Sequence, residues 1–149
     1  MQIIPAEKKH FSEINSLIEE EFSYTKKAMP KISLRLRQGS FIFVAEEKSV
    51  FFGFIEFKLK DFTACLLGMV TKKEFRGKNT GKKLIDFLIE FCRKNEIKKI
   101  FLIVKKENFN AKKLYSSKGF IKTRQLEKKI DGSVVERMEL NLGEFSGVN

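Results

Sequence analysis

Residues 69–85 read MVTKKEFRGKNTGKKLI, which combines the apolar end of a strand, a short basic loop and the start of a helix. Gly77 and Gly81 have no Cβ, and Asn79 is among the residues that best tolerate a positive φ. Such a loop can turn several backbone N–H groups toward one point, and the first helical turn adds unpaired N–H groups and a positive dipole end. The segment therefore predicts a cradle for an anion such as a pyrophosphate. A glycine-containing turn before an ordinary capped helix would use the same residues, so the loop alone leaves both interpretations open.

The rest of the chain predicts a mixed α/β domain around this loop. Apolar residues at helical spacing alternate with β-prone runs bounded by turn residues, and Asp131-Gly132 is a strong hairpin signal. Residues 31–38 fit a helix ended by Gly39, although their alternating apolar residues also fit a strand. Residues 99–104 form a nearly unbroken apolar run, which predicts a strand buried on both faces. The predicted helices are 9–22, 31–38, 82–94 and 110–118, and the predicted strands are 2–6, 41–46, 50–60, 63–71, 99–104, 121–130 and 134–142.

Length and composition exclude several classes of protein. The chain has 149 residues, which fits a single domain, and its 42% apolar content excludes a wholly disordered chain. No window of about 18 residues is free of charge, and the N-terminus lacks the features of an export signal. Cys65, Cys92 and the single histidine, His10, do not have the spacing of a zinc site. We therefore expect a cytoplasmic protein with no membrane span, no metal and two buried free thiols.

The chain is strongly basic, with 30 Lys and Arg against 19 Asp and Glu and a formal net charge of +11. An excess of this size fits a nucleic-acid partner, a membrane surface or an anionic small molecule. The lysines come in pairs spread along the whole chain, and no run of five basic residues forms a tail. This distribution favours a solvated surface over a dedicated nucleic-acid face.

Two motifs in order resemble the GCN5-related N-acetyltransferases (GNAT family). The loop pattern Arg76-x-x-Asn79-x-Gly81 is similar to the acetyl-CoA loop of that family, where the position of Asn79 is usually Gly. The second block follows the strand at 99–104. It reads Asn108-x-x-Ala111-x-x-Leu114-Tyr115-x-x-x-Gly119-Phe120.

The resemblance implies one GNAT domain over residues 1–149, of the α+β type. Its sheet would be mixed, mostly antiparallel and seven-stranded, flanked by about four helices. The implied activity is the transfer of an acetyl group from acetyl-CoA to a primary amine by direct attack, with acetyl-CoA as co-substrate and no metal. Strands 63–71 and 99–104 would splay apart, and the pantetheine arm would lie between them.

The same resemblance implies the roles of individual residues. Backbone groups of Met69, Val70 and Thr71 would bond the pantetheine and the acetyl carbonyl. Asn108 would hydrogen-bond the pantetheine arm, although a helix cap accounts for it equally well. The pyrophosphate would be held by the backbone N–H groups of Arg76, Gly77, Lys78, Asn79, Thr80, Gly81 and Lys82.

Tyr115 is the candidate general acid, because the reference pKa values of a thiol and a phenol, about 8.5 and 10, allow the phenol to protonate the leaving thiolate. A tyrosine that only orients the sulfur, or that fills the core, fits the same position. Many relatives have a glutamate near the position of Cys65, where this chain has no carboxylate. Glu56, Asp61 or a chain of waters could take the place of that base.

The acceptor cannot be read from the sequence beyond a primary amine of a small molecule, such as an amino sugar, or of a peptide. In the family it is held by the region of residues 22–39 and by the last hairpin, so the candidates to line its pocket are Phe22, Tyr24, Met29 and Arg35. A monomer and a homodimer both remain open. Two other functions also remain open: a non-catalytic acyl-CoA-binding module that regulates, and a basic nucleic-acid-binding protein.

Overall fold

The computed structural model describes residues 1–21, 31–130 and 132–143. Within these residues, seven strands and four α-helices follow one another along the chain as the sequence predicts. Their bounds differ from the predicted ones by only a few residues. In chain order the elements are β1 Gln2–Pro5, α1 Phe11–Glu21, α2 Ile32–Arg37, β2 Phe41–Glu47, β3 Val50–Lys60, β4 Thr63–Thr71, α3 Thr80–Lys94, β5 Lys99–Lys105, α4 Phe109–Ser117, β6 Ile121–Ile130 and β7 Ser133–Asn141.

The strands form one mostly antiparallel sheet in the order β1-β2-β3-β4-β5-β7-β6. Strands β4 and β5 run parallel, whereas β1–β2, β2–β3, β5–β7 and β6–β7 are antiparallel pairs. A two-residue turn joins β3 to β4, which only antiparallel neighbours allow. The predicted fold class, a mixed α/β fold with a mostly antiparallel open sheet and four helices, is therefore confirmed.

The chain divides into two compact units, Met1–Lys58 with Gly68–Phe87, and Leu59–Leu67 with Leu88–Asn149. The first unit packs α1 and α2 against the sheet through buried apolar side chains from the helices and strands. Strand β3 is buried over seven consecutive residues, as expected for a strand in the middle of a sheet. The core of this unit consists of Ile14, Leu17, Ile18, Ile32, Ile42, Val44, Phe51, Phe54 and Val70.

A buried ion pair holds α2 to β3 in the first unit. The guanidinium of Arg35 donates through Nε to Oε2 of Glu56 at 3.0 Å and through Nη2 to Oε1 at 2.9 Å. Both side chains are buried, at 7% and 3% exposure. Two parallel charge-assisted hydrogen bonds fix the orientation of both planar groups.

The second unit contains the β5-β7-β6 part of the sheet and α4. Burial alternates along β5, where Ile100, Leu102 and Val104 are buried and the residues between them are half-buried. The prediction that this strand is buried on both faces is therefore wrong, because its second face is only partly covered. The predicted hairpin between β6 and β7 is present, with Gly132 at a φ of +75°, and Asp131 lies outside the described residues.

Glu136 of β7 is a buried carboxylate that two lysines neutralise. Its Oε1 lies 2.8 Å from Nζ of Lys112 on α4, and its Oε2 lies 3.3 Å from Nζ of Lys122 on β6. The Lys112 ammonium is the largest cause that lowers the pKa of this carboxyl, and together with Lys122 it prevails over the opposing effect of burial. The pair with Lys112 therefore ties α4 to the sheet.

None of the helices in the described ranges is long and apolar enough to cross a membrane.

Replacing Arg35 by methionine is expected to destabilise the protein by about 3–5 kcal/mol, because it leaves the Glu56 carboxylate buried without its partner. The double variant Arg35→Met/Glu56→Met removes both charges, and we expect it to recover most of the lost stability. Urea denaturation of the three proteins measures the free energies of unfolding. Equal losses in the single and the double variant would contradict this account.

The Glu136 ion pairs are expected to make stability sensitive to acid. Because the pKa of Glu136 is lowered on folding, its contribution is complete above the unfolded pKa of about 4.3 and is lost as the pH falls through the lower folded pKa. Unfolding free energies measured between pH 7 and pH 3 should show wild type more stable than Glu136→Gln at neutral pH, with a difference that shrinks in acid. A difference that is the same at every pH would argue against it.

Candidate active site

The loop between β4 and α3 has the backbone conformation that its sequence predicts. Gly77 has a φ of +84° and Asn79 a φ of +64°, so both residues are in the left-handed region. Asparagine is one of the few residues besides glycine that accept this conformation. Helix α3 then begins at Thr80, and the carbonyl of Asn79 accepts its first helical hydrogen bond from Lys83 at 3.0 Å.

This conformation leaves a run of donors without acceptors. The backbone N–H groups of residues 77–82 donate to no acceptor in the described part of the chain. The N–H of Arg76, by contrast, donates to the carbonyl of Lys73 at 3.2 Å. Residues 76–79 and 82 are exposed, Gly81 is half-buried and Thr80 is buried, with no described partner for its hydroxyl. The loop and the N-terminus of α3 together offer an anion several N–H groups and the positive end of a helix dipole.

Two side chains of the loop, Phe75 and Arg76, fasten it to other elements of the first unit. Phe75 stacks on Phe52 of β3, with ring centroids 4.1 Å apart and planes at 10°, and Nζ of Lys78 lies 5.7 Å from the centroid of Phe75. Arg76 donates through Nε to the carbonyl of Thr71 at 3.1 Å and through Nη2 to Oε1 of Glu21. The Arg76 side chain thus holds the loop in place. Because its guanidinium is bonded to Thr71 and Glu21, the groups of the loop that can bind an anion are the backbone N–H groups.

Strand β4 continues beyond the part that pairs with β5. The register pairs Thr63–Leu66 with Lys99–Leu102, whereas β4 runs on to Thr71 and β5 to Lys105. Val70 is buried in the core of the first unit, and Met69 and Thr71 are half-buried. The carboxyl end of β4 therefore has backbone groups that are outside its pairing with β5.

Asn108 and the start of α4 belong to the second unit. Asn108 is the N-cap of α4, and its Oδ1 accepts from the N–H of Ala111 at 3.2 Å. The interpretation of Asn108 as a helix cap is confirmed. Because the cap uses Oδ1 and the residue is exposed, the amide nitrogen Nδ2 is the group that can donate to a ligand.

Tyr115 lies near the end of α4, at 8% exposure, with its ring 5.7 Å from the ring of Phe120. Burial raises the pKa of its phenol to about 12, so the hydroxyl stays protonated throughout the neutral range. Helix α4 ends just after it, where Gly119 has a φ of +99° and the N–H of Phe120 donates to the carbonyl of Tyr115. The turn fixes the backbone that carries the phenol, which is a proton donor at the pH of a cell.

Neither candidate base is well placed. Both carboxylate oxygens of Glu56 are bonded to Arg35, and the pair is buried. Asp61 is exposed in the turn before β4, and Thr71 lies at the other end of that strand, which is about 26 Å long from Thr63 to Thr71 at the usual rise. These positions favour water over either carboxylate as the route by which a proton leaves.

Only one of the four residues expected to line the pocket for the amine acceptor lies in the described part of the chain. Phe22, Tyr24 and Met29 lie outside the described residues. Arg35 is described, and its guanidinium is turned to Glu56 in the interior of the first unit. It therefore supports α2 and does not offer its charge to an acceptor.

The contacts that brace the site were not predicted from the sequence. Arg76 and Glu21 are 55 positions apart, and Lys72 and Glu13, whose Nζ and Oε2 are 2.9 Å apart, are 59 positions apart. No local pattern connects residues at such separations. The aromatic side chains that stack beside the loop, Phe52 and Phe75, carried a weak signal only, because 16 phenylalanines are spread over the chain.

Comparison with known proteins places this chain in a family. The family model described as Acetyltransferase (GNAT) family matches residues 11–120. No curated protein matches the chain.

Solved structures share the fold at low sequence identity. A putative acetyltransferase, yncA, from Salmonella typhimurium, solved with its cofactor acetyl-CoA, has a TM-score of 0.80 at 21% identity, covering 98% of this chain and 96% of that one. A ribosomal-protein-alanine N-acetyltransferase from Brucella melitensis has a TM-score of 0.80 at 17% identity, covering 95% and 100%. A spermidine N-acetyltransferase chimera from Vibrio cholerae and hSSAT has a TM-score of 0.78 at 22% identity, covering 95% and 96%. Because the family model covers well over half of the sequence, the chain belongs to the GNAT family of acetyltransferases.

Proposed function

We propose that this protein transfers an acetyl group from acetyl-CoA to a primary amine in a ternary complex. The observation that carries the proposal is the run of backbone N–H groups at residues 77–82, which have no acceptor in the described chain and lie at a helix N-terminus. A pyrophosphate would satisfy these donors, and its two negative charges would interact favourably with the helix dipole and with Lys82.

The remaining cofactor contacts in this proposal come from β4 and α4. Backbone groups of Met69, Val70 and Thr71 bond the pantetheine and the acetyl carbonyl, since this end of β4 lies beyond its pairing with β5. Asn108 donates to the pantetheine arm through Nδ2, because its Oδ1 is used by the helix cap. The two free cysteines are compatible with a cytoplasmic location, where thiols stay reduced.

The reaction proceeds by attack of a neutral amine on the thioester carbonyl. A C–N bond forms, the C–S bond breaks with its electron pair on sulfur, and backbone N–H groups of β4 stabilise the oxyanion. Tyr115 gives its proton to the leaving thiolate, and the extra proton on nitrogen passes to water. Tyr115 then regains a proton from solvent, which completes the balance.

The acceptor is a primary amine of a small molecule, such as an amino sugar, or of a peptide. Without a well-placed base, an amine of low pKa is favoured. Neutralising an alkylamine of pKa about 10.4 at pH 7 costs about 4.6 kcal/mol, whereas an α-amino group of pKa about 7.8 costs about 1.1 kcal/mol. The similar solved structures include an enzyme named for an alanine of a ribosomal protein and one named for spermidine, so both types of amine belong in a screen.

The alternative is an acyl-CoA-binding regulatory module, which the poor placement of Glu56 and Asp61 would suit. Calorimetry with acetyl-CoA, followed by a panel of amines with detection of free thiol, separates the two. Binding with amine-dependent thiol release supports the enzyme, and binding without release from any amine supports the module. If no heat of binding is detected, the proposed function is wrong.

Changes at Asn79 test the loop. Asn79→Gly keeps the left-handed conformation and should bind CoA as wild type does. Asn79→Val opposes that conformation by about 1–2 kcal/mol and should weaken CoA binding about 5- to 30-fold in calorimetry. Lys48→Val is the matched control, since Lys48 has a φ of +51° in the β2–β3 turn and should affect stability alone. Equal affinities in all of these variants would show that the loop does not hold the cofactor.

Removal of the phenol hydroxyl tests the acid. Tyr115→Phe should lower kcat about a hundredfold or more with unchanged affinity for acetyl-CoA. Because an acid is active while it is protonated and the Tyr115 pKa is about 12, the wild-type rate should show no loss from this group between pH 7 and pH 10. Phe120→Leu alters the same aromatic contact and keeps the hydroxyl, so it should reduce stability and retain kcat. An unchanged kcat in Tyr115→Phe would reduce Tyr115 to a packing or orienting role.

A further inference from the structure

Gly53 of β3 is a glycine that the backbone conformation does not require. It is buried in the middle of the strand, and its φ lies outside the left-handed region. A strand interior is an unfavourable place for glycine, because glycine loses much entropy on folding and packs no side chain. Its presence there therefore points to a close approach by other atoms.

The atoms that approach Gly53 belong to the backbone of β4. A Cβ at this position would lie 2.3 Å from the carbonyl oxygen of Val70, 3.0 Å from the Cα of Thr71 and 3.2 Å from the carbonyl carbon of Val70. Real Cβ contacts do not occur below 3.0 Å, and backbone atoms cannot rotate away as the end of a side chain can. Any larger residue at this position would have to displace the Val70–Thr71 peptide.

The direction of that peptide determines where its N–H group points. A trans peptide is planar, with its C=O and N–H on opposite sides. Because the carbonyl of Val70 lies against β3, the N–H of Thr71 points to the other side of β4, and the pairing of β4 with β5 ends earlier, at Leu66. One residue further along the chain, the N–H of Lys72 points back to β3 and donates to the carbonyl of Phe52 at 2.8 Å. The peptide is therefore held in place from β3.

We propose that Gly53 is a positioning residue for acetyl transfer: its missing Cβ admits the carbonyl of Val70, which aims the N–H of Thr71 at the acetyl carbonyl of acetyl-CoA. The inference rests on the proposed function. In that function no group of β3 contacts the cofactor, and Gly53 acts only through the orientation of the neighbouring Val70–Thr71 peptide.

The test compares Gly53→Ala with Gly68→Ala. Gly68 lies on β4, and a Cβ there would meet only the edge of the Phe54 ring at 4.0 Å, an ordinary contact. The probe is acetyl-CoA labelled with ¹³C at the carbonyl. Hydrogen bonding lowers the infrared stretching frequency of this carbonyl, and the measurement does not require the amine substrate to be identified. We expect a lowered stretch in wild type and Gly68→Ala, and a return toward the value of free acetyl-CoA in Gly53→Ala. Affinity for CoA should stay unchanged in Gly68→Ala. Gly53→Ala should still bind CoA, with some loss of affinity at the displaced Val70–Thr71 peptide, because the loop at residues 77–82 is intact.

The outcomes separate this inference from the function on which it rests. No binding of acetyl-CoA to wild type overturns both. Binding with an unshifted carbonyl in wild type, or with a shift that Gly53→Ala retains, overturns the role of Gly53 alone. If Gly53→Ala does not fold, the amide resonance of Thr71 in wild type decides, because it should differ between the CoA and acetyl-CoA complexes, and an identical resonance in the two refutes the inference.

Discussion

A backbone N–H group that is turned away from its own chain needs an acceptor, and residues 77–82 present a run of such groups. The run exists because Gly77 and Asn79 adopt a positive φ just before a helix whose first turn has no acidic residue. Phe75, stacked on Phe52, and Arg76, bonded to the end of β4, hold this conformation. In the proposed function, a cradle that these contacts hold in place would bind the pyrophosphate without the entropy loss of ordering a loop.

The features that could be predicted from the sequence are those encoded over a few residues. The loop, the left-handed Asn79, the capped start of α4 at Asn108 and the turn at Gly132 each depend on local conformational preference, and each is present. The hydrophobic patterns likewise predicted the strands and helices to within a few residues. The apolar run of β5 misled, because Phe101 and Ile103 are half-buried on the second face and hydrophobicity alone does not report how much of a face is covered.

The features that could not be predicted depend on residues far apart in the chain. Arg35 was expected to line the pocket for the amine, and Glu56 was a candidate base. In the structure the two form a buried ion pair that supports the fold. At each position the sequence alone reads as an ordinary surface charge, and only the packing of α2 on β3 brings the two together. Gly53 is a similar case. The sequence marks it as a glycine within a strand, but the reason for the glycine lies 17 residues later, in the carbonyl of Val70.

The burial of Tyr115 bears on how it would protonate the leaving thiolate in the proposed reaction. Against a thiol in water, with a pKa of about 8.5, a phenol with a pKa of about 12 would transfer its proton uphill by about 5 kcal/mol. A buried site changes both partners, however, because the loss of solvation disfavours every anion. Cys92 gives the scale within this same protein, since burial raises the pKa of its thiol to about 12. A leaving thiolate that is buried as Cys92 is would have its pKa raised in the same direction as the phenol, which would lower the uphill cost of the transfer. Exclusion of water from around the sulfur, and not a lowered tyrosine pKa, is therefore the condition under which Tyr115 can act as the acid.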